Sequence, residues 1–332
     1  MNANSANSDT GGSTNSNTSE PALHRMPDRF LAEFAELVGP ADPVAVEGNR
    51  TRWNLGGSLH QSTRLVRAPS GIVSYSPEEM TVRVRAGTSV GELAAALTLR
   101  GQRCALPDRG GTVGGAIAVG ENHLEMLGRG TLRASVLEVR YVSADGVVIV
   151  GGGPTVKNVT GFDLPRLLTG SLGTLGLIGE VIVRTNPTPS VSQWMSSSAA
   201  DPFVVRDTLV RCGAVLWDGV STWALVEGHR DEVDEQARRL GKLARFDVVE
   251  RAPTLPEHRW SLPPATLREL ARAGNGIETG RFVASVGTGL VFAERPQPAR
   301  ILDAAVKTVS ARIKQEFDPS GRLNPGRNPA HR

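Results

Sequence analysis

Apolar residues recur along this chain with two periods, which predict a mixture of helices and strands. Residues 26–40 place an apolar side chain every three to four positions and end at Gly39-Pro40, the pattern of an amphipathic helix. The stretch 43–48 (PVAVEG) predicts a short strand. Residues 81–87 (TVRVRAG) alternate small apolar residues with arginine, which is strand alternation. Residues 89–101 predict a helix that begins with a capping box and ends at glycine.

The same reasoning extends to the rest of the chain. Residues 137–150 read as two strands around an Ala-Asp-Gly turn, which predicts an antiparallel hairpin. Asp163 is expected to cap a short helix through Leu168. Further periodic stretches predict a strand at 177–185 and helices at 231–244 and 300–317. No internal repeat is visible, and the pattern as a whole indicates an α+β protein.

Composition divides the chain into four regions. Residues 1–25 are rich in Ser, Asn, Thr and Gly and cannot bury enough apolar surface to fold, so we expect a disordered tail. Residues 26–190 form a glycine-rich first region that closes with two prolines. Residues 191–295 contain most of the tryptophans and suggest a second α+β unit, and residues 296–332 hold the last helix and a turn-rich tail.

Charge and cysteine content exclude several classes of protein. Basic residues (37) barely exceed acidic ones (34) and no basic run has interleaved aromatics, which argues against nucleic-acid binding. Cys104 and Cys212 lie far apart without a Cys-x-x-Cys motif, so we expect no metal site and no cysteine-ligated iron–sulfur cluster. No apolar run approaches the roughly 18–20 residues that span a bilayer. Because the N-terminus has no apolar signal core, we expect a cytoplasmic protein.

Three glycine-rich segments, 48–57, 107–120 and 151–176, are the candidate ligand loops. None carries the P-loop pattern, and none has Rossmann spacing within a βαβ unit, so the common ATP and nicotinamide folds are disfavoured. A dinucleotide can still be held by backbone N–H groups that come close because the loops lack Cβ atoms. The alternative for each loop is a tight turn packed against a neighbouring element.

The order and identity of these loops resemble the vanillyl-alcohol-oxidase/PCMH-type FAD-binding family. More narrowly, the chain is similar to the FAD-binding E subunits of bacterial glycolate oxidases. The resemblance covers 43–188 and returns at 312–327, and its most specific part is 156–187. It implies a PCMH-type FAD-binding domain of two α+β subdomains at 26–190, a small α+β cap domain at 191–295, and a C-terminal helix and tail at 296–332 that return to the FAD domain.

The resemblance also implies the residues that bind FAD. In the first loop these are Gly48, Asn49, Arg50, Thr51 and Arg52. In the second they are Pro107, Gly110, Gly111, Thr112, Val113, Gly114, Gly115, Ala116 and Gly120. In the third they are Lys157, Asn158, Gly161, Asp163, Gly170, Ser171, Gly173, Thr174, Gly176 and Ile178.

Departures from the family pattern bear on the attachment of the flavin. Phe162 stands where the E subunits usually carry tyrosine, and Ala134 where an acid is common. Residues 48–57 contain neither His nor Cys, the residues through which many relatives attach the flavin, so noncovalent FAD is implied. His60 lies just beyond that loop.

The sequence assigns no catalytic residue. Oxidation of a 2-hydroxy acid needs a base for the hydroxyl proton and favours an arginine for the carboxylate. His123 is the histidine closest to a flavin loop, although a surface position is the simpler interpretation. Arg129 and Arg133 follow it, while Arg259 and Trp260 are candidates on the cap side. The His-rich metal segment of the D-2-hydroxy-acid dehydrogenases that resemble this chain is absent from the sequence.

Two functions from different classes remain open at this stage. The first is an accessory FAD-binding subunit that carries electrons within a glycolate-oxidase-like complex, beside a second flavoprotein subunit and an iron–sulfur subunit. Such a chain would reach a membrane only through its partners. The second is a self-sufficient FAD-dependent oxidoreductase acting on a small alcohol or hydroxy acid. A binding module that has lost FAD is disfavoured because the loops remain glycine-rich.

Overall fold

The computed structural model describes residues 28–154, 163–270, 272, 277–298 and 303–331. These residues form two units, each built on an antiparallel sheet. The first unit comprises residues 28–188 and 303–331 and the second comprises residues 191–298, within the described ranges. Lys157, Asn158, Gly161 and Phe162 lie outside the described residues.

Among the residues that the structure describes, six helices and eight strands of the first unit precede the second unit in the chain. The helices are α1 (Arg29–Val38), α2 (Val90–Thr98), α3 (Val113–Val119), α4 (Met126–Arg129), α5 (Leu132–Ser135) and α6 (Leu164–Leu168). The strands are β1 (Val44–Val46), β2 (Arg64–Val66), β3 (Ile72–Ser76), β4 (Thr81–Arg85), β5 (Gln102–Cys104), β6 (Val136–Val142), β7 (Val148–Gly152) and β8 (Leu177–Pro187).

The described residues of the second unit form two α-helices and seven strands. The helices are α7 (Pro202–Thr208) and α8 (Arg230–Gly241). The strands are β9 (Val191–Ser197), β10 (Cys212–Trp217), β11 (Thr222–Gly228), β12 (Asp247–Val249), β13 (His258–Ser261), β14 (Phe282–Ser285) and β15 (Leu290–Ala293). The chain then returns to the first unit through α9 (Ala304–Phe317). Short 3₁₀ turns occupy Pro264–Glu269 and Pro329–His331.

The first unit combines a small parallel pair with a large antiparallel sheet. Strands β1 and β2 pair in parallel, and the C-terminal tail adds a parallel bridge between Val44 and Leu323. The large sheet has the order β3-β4-β8-β6-β7, with β5 attached to β8. The valines of the 81–87 pattern, Val82 and Val84, enter a core formed with α2, α3, α5 and α6, as period-two alternation predicts.

The predicted local elements are confirmed with small changes at their ends. The helix expected at 26–40 is α1, which Asp28 caps by accepting a hydrogen bond from the Leu31 amide. The hairpin expected at 137–150 forms between β6 and β7. Helix α9 begins at Ala304, a few residues after the start of its predicted range.

The second glycine segment differs from a simple loop because part of it is helical. Thr112 caps α3 by accepting a hydrogen bond from the Gly115 amide at 3.2 Å. A Cβ at Gly114 would lie 2.7 Å from the Cβ of Ala86, so this glycine lets α3 approach the end of β4. The small residues of this helix therefore have two effects. They allow close packing on the strand, and they leave open space in the cleft beside the helix.

The tryptophans of the second unit belong to its interior. Trp217 packs edge-on against Phe203 and Phe282, and Trp260 is buried with its indole N–H donated to the Arg295 carbonyl. Trp194 and Trp223 are half-buried against a second apolar cluster. Trp260 is therefore a core residue whose polar atom already has a partner.

A buried ion pair joins the two units. Arg103 on β5 donates two hydrogen bonds to Glu227 on β11, at 2.7 and 2.8 Å. Gly128 and Gly213 flank this carboxylate, and a Cβ at either would lie within 3 Å of it. Helix α4 packs on β10 of the second sheet, so the segment that follows the second glycine loop reaches across the boundary.

Candidate functional site

One cleft in the first unit collects residues from all three glycine segments and from the C-terminal tail. The empty space is about 480 Å³ in its inner part and about 630 Å³ in its outer part, counting space that is open to solvent. The two parts share Val46, Gly48, Thr112, Gly115, Ala118 and Asn324 in their walls.

Gly115 and its neighbour Gly114 both line the cleft, but a Cβ at Gly114 would point at Ala86 and not into open space. Gly115 is exposed, and the nearest atom to a Cβ placed there is the Thr112 hydroxyl at 3.0 Å. A longer side chain at Gly115 would extend into the cleft. The two adjacent glycines thus differ in what a side chain would meet. At Gly115 it would enter the cleft, and at Gly114 it would prevent the contact between helix and strand.

Two buried polar atoms of residues that line the cleft have no hydrogen-bond partner within the described part of the chain. One is Nη2 of Arg52, a cationic donor, and the other is Oδ1 of Asn324, an acceptor. A buried polar atom without a partner costs free energy, so such atoms point to a missing ligand or water. FAD carries anionic pyrophosphate oxygens as well as amino and hydroxyl donors, so the donor and acceptor set fits this cofactor.

Positive charge predominates around the first loop. Glu47 pairs with Arg50 at 2.9 Å and with Arg67 at 3.1 Å, and the hydrogen bond from Arg50 is the main cause that lowers the pKa of Glu47. Arg327 lies over the Trp53 ring, and burial lowers the pKa of its guanidinium. Such an arginine-rich wall suits an anionic ligand.

Buried Glu121, just after α3, collects arginines from three separate segments. Its carboxylate contacts Arg52 at 2.7 Å and Arg109 at 3.0 Å, and it lies 3.8 Å from Arg259 on β13 of the second unit. Three guanidinium groups thus surround one carboxylate at the boundary of the two units. The arrangement places Arg259, a candidate from the sequence, next to Arg52 of the first glycine loop.

The structure brings many of the predicted FAD-binding residues to the cleft wall. These residues are Gly48, Asn49, Arg50, Thr51, Arg52, Gly111, Thr112, Gly114, Gly115, Ala116, Gly173 and Ile178. Other described residues of the predicted set lie outside the wall. They are Pro107, Gly110, Val113, Gly120, Asp163, Gly170, Ser171, Thr174 and Gly176.

Residues outside the wall shape the loops that form it. The Gly110 carbonyl accepts a hydrogen bond from the side-chain Nδ2 of Asn49 at 2.9 Å, which ties the first two loops together. The Gly170 amide donates to the Ile117 carbonyl at 2.9 Å, which ties the third loop to α3. Asp163 caps α6 and is exposed, while Gly176 packs against the Tyr141 ring, which leaves no room for a Cβ. We interpret these residues as supports for the site.

Residue-by-residue reasoning missed several parts of the wall. Asn324 and Arg327 come from the terminal segment FDPSGRLNPGR, which carried the family resemblance but supplied no site residue. Trp53 and Leu172 were also missed. Leu172 has a positive φ of 52° within a glycine-rich loop, a feature that only the backbone structure shows.

His123 is half-buried and lies outside the cleft wall. Its Nδ1 accepts a hydrogen bond from the Glu125 amide at 3.0 Å. Burial, together with the nearby positive charge of Arg129, lowers the pKa of His123 to about 4. The imidazole is therefore neutral at pH 7, and a pKa this low makes it a weak proton acceptor.

The remaining candidates from the sequence do not line the cleft. Arg129 pairs with Glu125 at 2.6 Å, and Arg133 donates to the Thr169 carbonyl at 3.0 Å. His60 is exposed, and its backbone amide donates to the Pro325 carbonyl. Within the described ranges, no cluster of three His, Cys, Asp or Glu residues is placed to hold a metal ion. None of the helices described is both long and apolar enough to cross a membrane.

Comparison with known proteins identifies the family of this chain. A family model described as "FAD binding domain" matches residues 32–152. The chain is 33% identical to the glycolate oxidase subunit GlcE of Escherichia coli K12, over 90% of this chain and 96% of that protein. It is also 37% identical to a D-lactate dehydrogenase of Archaeoglobus fulgidus, over 40% of this chain and 32% of that protein.

Two more comparisons agree on the fold. The glycolate oxidase subunit GlcD of Bacillus subtilis is 30% identical over 52% of this chain and 40% of its own length. The solved structure of an alkyldihydroxyacetonephosphate synthase aligns with a TM-score of 0.62 over 89% of this chain and 74% of that chain, at 16% identity, which supports the fold alone. These findings establish that the chain is an FAD-dependent oxidoreductase with a PCMH-type FAD-binding domain and belongs to the family of the glycolate oxidase subunit GlcE.

Proposed function

We propose that the chain is the FAD-binding subunit of a glycolate-oxidase-like complex and carries electrons during oxidation of a small 2-hydroxy acid. FAD binds without a covalent bond, and the partners are a second flavoprotein subunit and an iron–sulfur subunit. The names of the relatives support the substrate class, since they include glycolate oxidase subunits and D-lactate dehydrogenases. Bound FAD would accept the electrons of the oxidation, and the chain's own residues hold and orient it.

The observation that carries the accessory role is the composition of the cleft wall. Among the described residues that line it there is no histidine, lysine or tyrosine, and its carboxylate, Glu47, is paired with two arginines. His123 lies outside this wall and has a pKa of about 4. A wall of this composition binds a cofactor well but offers no evident base for the hydroxyl proton of a substrate.

Anaerobic reduction of the purified chain tests the accessory role. We expect the isolated protein to be yellow, to release FAD into the supernatant on acid precipitation, and to stay oxidised when glycolate or D-lactate is added. Coexpression with the flavoprotein and iron–sulfur subunits should give a copurifying complex with 2-hydroxy-acid dehydrogenase activity. Turnover by the isolated chain at an ordinary enzymatic rate, on the order of 1 s⁻¹, would contradict the accessory role.

A specific observation favours the second candidate, a self-sufficient FAD-dependent oxidoreductase. Arg52, Arg109 and Arg259 surround Glu121 at the boundary of the two units, where their excess positive charge could hold a substrate carboxylate. For this candidate, glycolate should bleach the flavin of the isolated chain, and Arg259→Gln should slow the bleaching. The reduction experiment thus separates the two candidates.

A further inference from the structure

Residues 318–328, which we call the C-terminal clasp, are held rigidly against the first unit. The buried carboxylate of Asp318 accepts hydrogen bonds from the Arg322 and Leu323 amides at 3.0 and 2.8 Å. The buried guanidinium of Arg322 donates to the carbonyls of Val38, Asp42 and Ala144 at 2.8 to 2.9 Å. The clasp is therefore a fixed part of the fold.

The far end of the clasp is joined to the first glycine loop. The Asn328 amide donates to the Gly56 carbonyl at 2.7 Å, and Arg327 donates to the Leu55 carbonyl at 3.0 Å. At Gly326, a Cβ would lie 2.2 Å from the Ser58 carbonyl oxygen, so this position requires glycine. These contacts bring the clasp and the first loop together as one wall of the cleft.

Asn324, in the middle of the clasp, crosses to the third glycine loop. Its Nδ2 donates to the Leu172 carbonyl, and its backbone has a positive φ of 44°, a conformation that asparagine tolerates better than most residues. A Cβ at Gly173 would lie 2.3 Å from Nδ2, so that glycine makes room for the amide. Asn324 also lines both parts of the cleft.

The orientation of the Asn324 amide decides what it can bind. Because Nδ2 is used by Leu172, the amide oxygen Oδ1 is the group left for a ligand, and it is buried without a partner among the described residues. An amide oxygen only accepts hydrogen bonds, so an ionised phosphate cannot satisfy it. An amino or hydroxyl group can.

We propose that Asn324 is an FAD-binding residue whose Oδ1 accepts a hydrogen bond from an amino or hydroxyl group of the cofactor, and that the clasp holds it in place. Arg52 Nη2 supplies the complementary donor in the same cleft. This proposal depends on FAD binding and not on membership of a complex, so the isolated chain tests it separately from the proposed function.

The test is titration of the FAD-free chain with FAD, with the flavin fluorescence giving the Kd. Asn324→Gly retains the positive φ and removes the acceptor, so we expect the Kd to rise about three- to tenfold. Asn328→Gly is the matched control, because Asn328 belongs to the same clasp but does not line the cleft. We expect this control to bind FAD like the wild type.

Competition by ADP and by FMN identifies the half of FAD that carries the donor. The fragment that contacts Oδ1 should lose affinity in Asn324→Gly, and the other should not. An unchanged Kd for FAD in Asn324→Gly would overturn the proposal, because it indicates that Oδ1 does not contact the cofactor. An equal loss of affinity for ADP and FMN, or an equally weakened FAD affinity in Asn328→Gly, would also overturn it, because either result indicates a general loosening of the site. If Asn324→Gly does not fold, Asn324→Ala replaces it because it also removes Oδ1, and unchanged FAD binding in that variant would also overturn the proposal.

Discussion

Gly114 and Gly115 are adjacent in α3, yet a side chain would meet different surroundings at the two positions. At Gly115, a valine would extend into the cleft beside the Thr112 hydroxyl. We expect Gly115→Val to weaken FAD binding at least tenfold, with a small effect on the unfolding temperature of the FAD-free protein. Fluorescence titration and thermal unfolding measure the two quantities.

Gly114→Ala is the matched comparison for that prediction. Its methyl group would lie 2.7 Å from the Ala86 Cβ, so α3 must move away from the end of β4. We expect a lower unfolding temperature in the absence of FAD. Normal FAD affinity in a folded Gly115→Val protein would instead assign this glycine to packing alone.

His123 predicts a specific pH dependence of stability. Burial and the charge of Arg129 lower its pKa to about 4 in the folded protein, against an ordinary value near 6.5. Between these values the unfolded chain binds a proton that the folded chain does not, so the free energy of unfolding falls as the pH falls from about 6.5 to about 4.

His123→Gln removes this contribution. In urea unfolding at several pH values, we expect the acid side of its stability curve to be shallower than that of the wild type, by up to about 1.4 kcal/mol per pH unit. The nearby charged groups, Glu125, Arg129, Arg103 and Glu227, remain in both proteins. Curves that run parallel from pH 7 to pH 4 would show that His123 titrates in the folded protein as it does in the unfolded chain.

Strands β4, β6 and β8 contribute side chains to one cluster of buried charges. The cluster lies on the face of the sheet opposite Val82 and Val84, which belong to the apolar core. Arg83 donates to Glu138 and to Glu180, each at 2.8 Å, and Arg140 lies 3.1 and 3.6 Å from the same carboxylates. The Glu180 side chain is 2% exposed. Removing one cation from such a group leaves a buried carboxylate poorly compensated.

Arg83→Met should therefore lower the free energy of unfolding by about 3 kcal/mol, measured by urea unfolding. Arg184→Met is the control, since Arg184 lies on β8 but is exposed. We expect that variant to remain within about 0.5 kcal/mol of the wild type. Equal stabilities for the two variants would mean that the buried charges contribute little.

At the scale of the whole molecule, the Arg103–Glu227 pair connects two separate apolar cores. Both side chains are largely buried, so loss of Arg103 leaves Glu227 enclosed between Gly128 and Gly213 without its main partner. We expect Arg103→Met to separate thermal unfolding into two transitions, with the second unit exchanging amide hydrogens faster than the first.

The exposed pair Arg211–Glu232 supplies the comparison for that experiment. Arg211→Met removes a salt bridge within the second unit, and surface pairs contribute little to stability. Its unfolding should resemble that of the wild type. A single transition at an unchanged temperature in Arg103→Met would show that apolar contacts alone hold the two units together.

Local patterns in the sequence determined most of the elements and the chemical class of the site. Helix α2, the β6–β7 hairpin and strand β8 follow from periodicity and turn residues, because these depend on near neighbours in the chain. The glycine segments indicated a dinucleotide site for the same reason, since the need for close backbone approach is visible in composition. The family resemblance added FAD.

Only the tertiary structure decided which residues share the cleft and which support it. Asn324 meets Leu172 and Arg327 meets Leu55 across 152 and 272 positions of chain, distances over which no periodicity carries information. Gly114 and Gly115 look alike in the sequence, and their roles differ because Ala86 packs against one and not the other. Long-range packing sets these contacts, so they become visible only when the chain is folded.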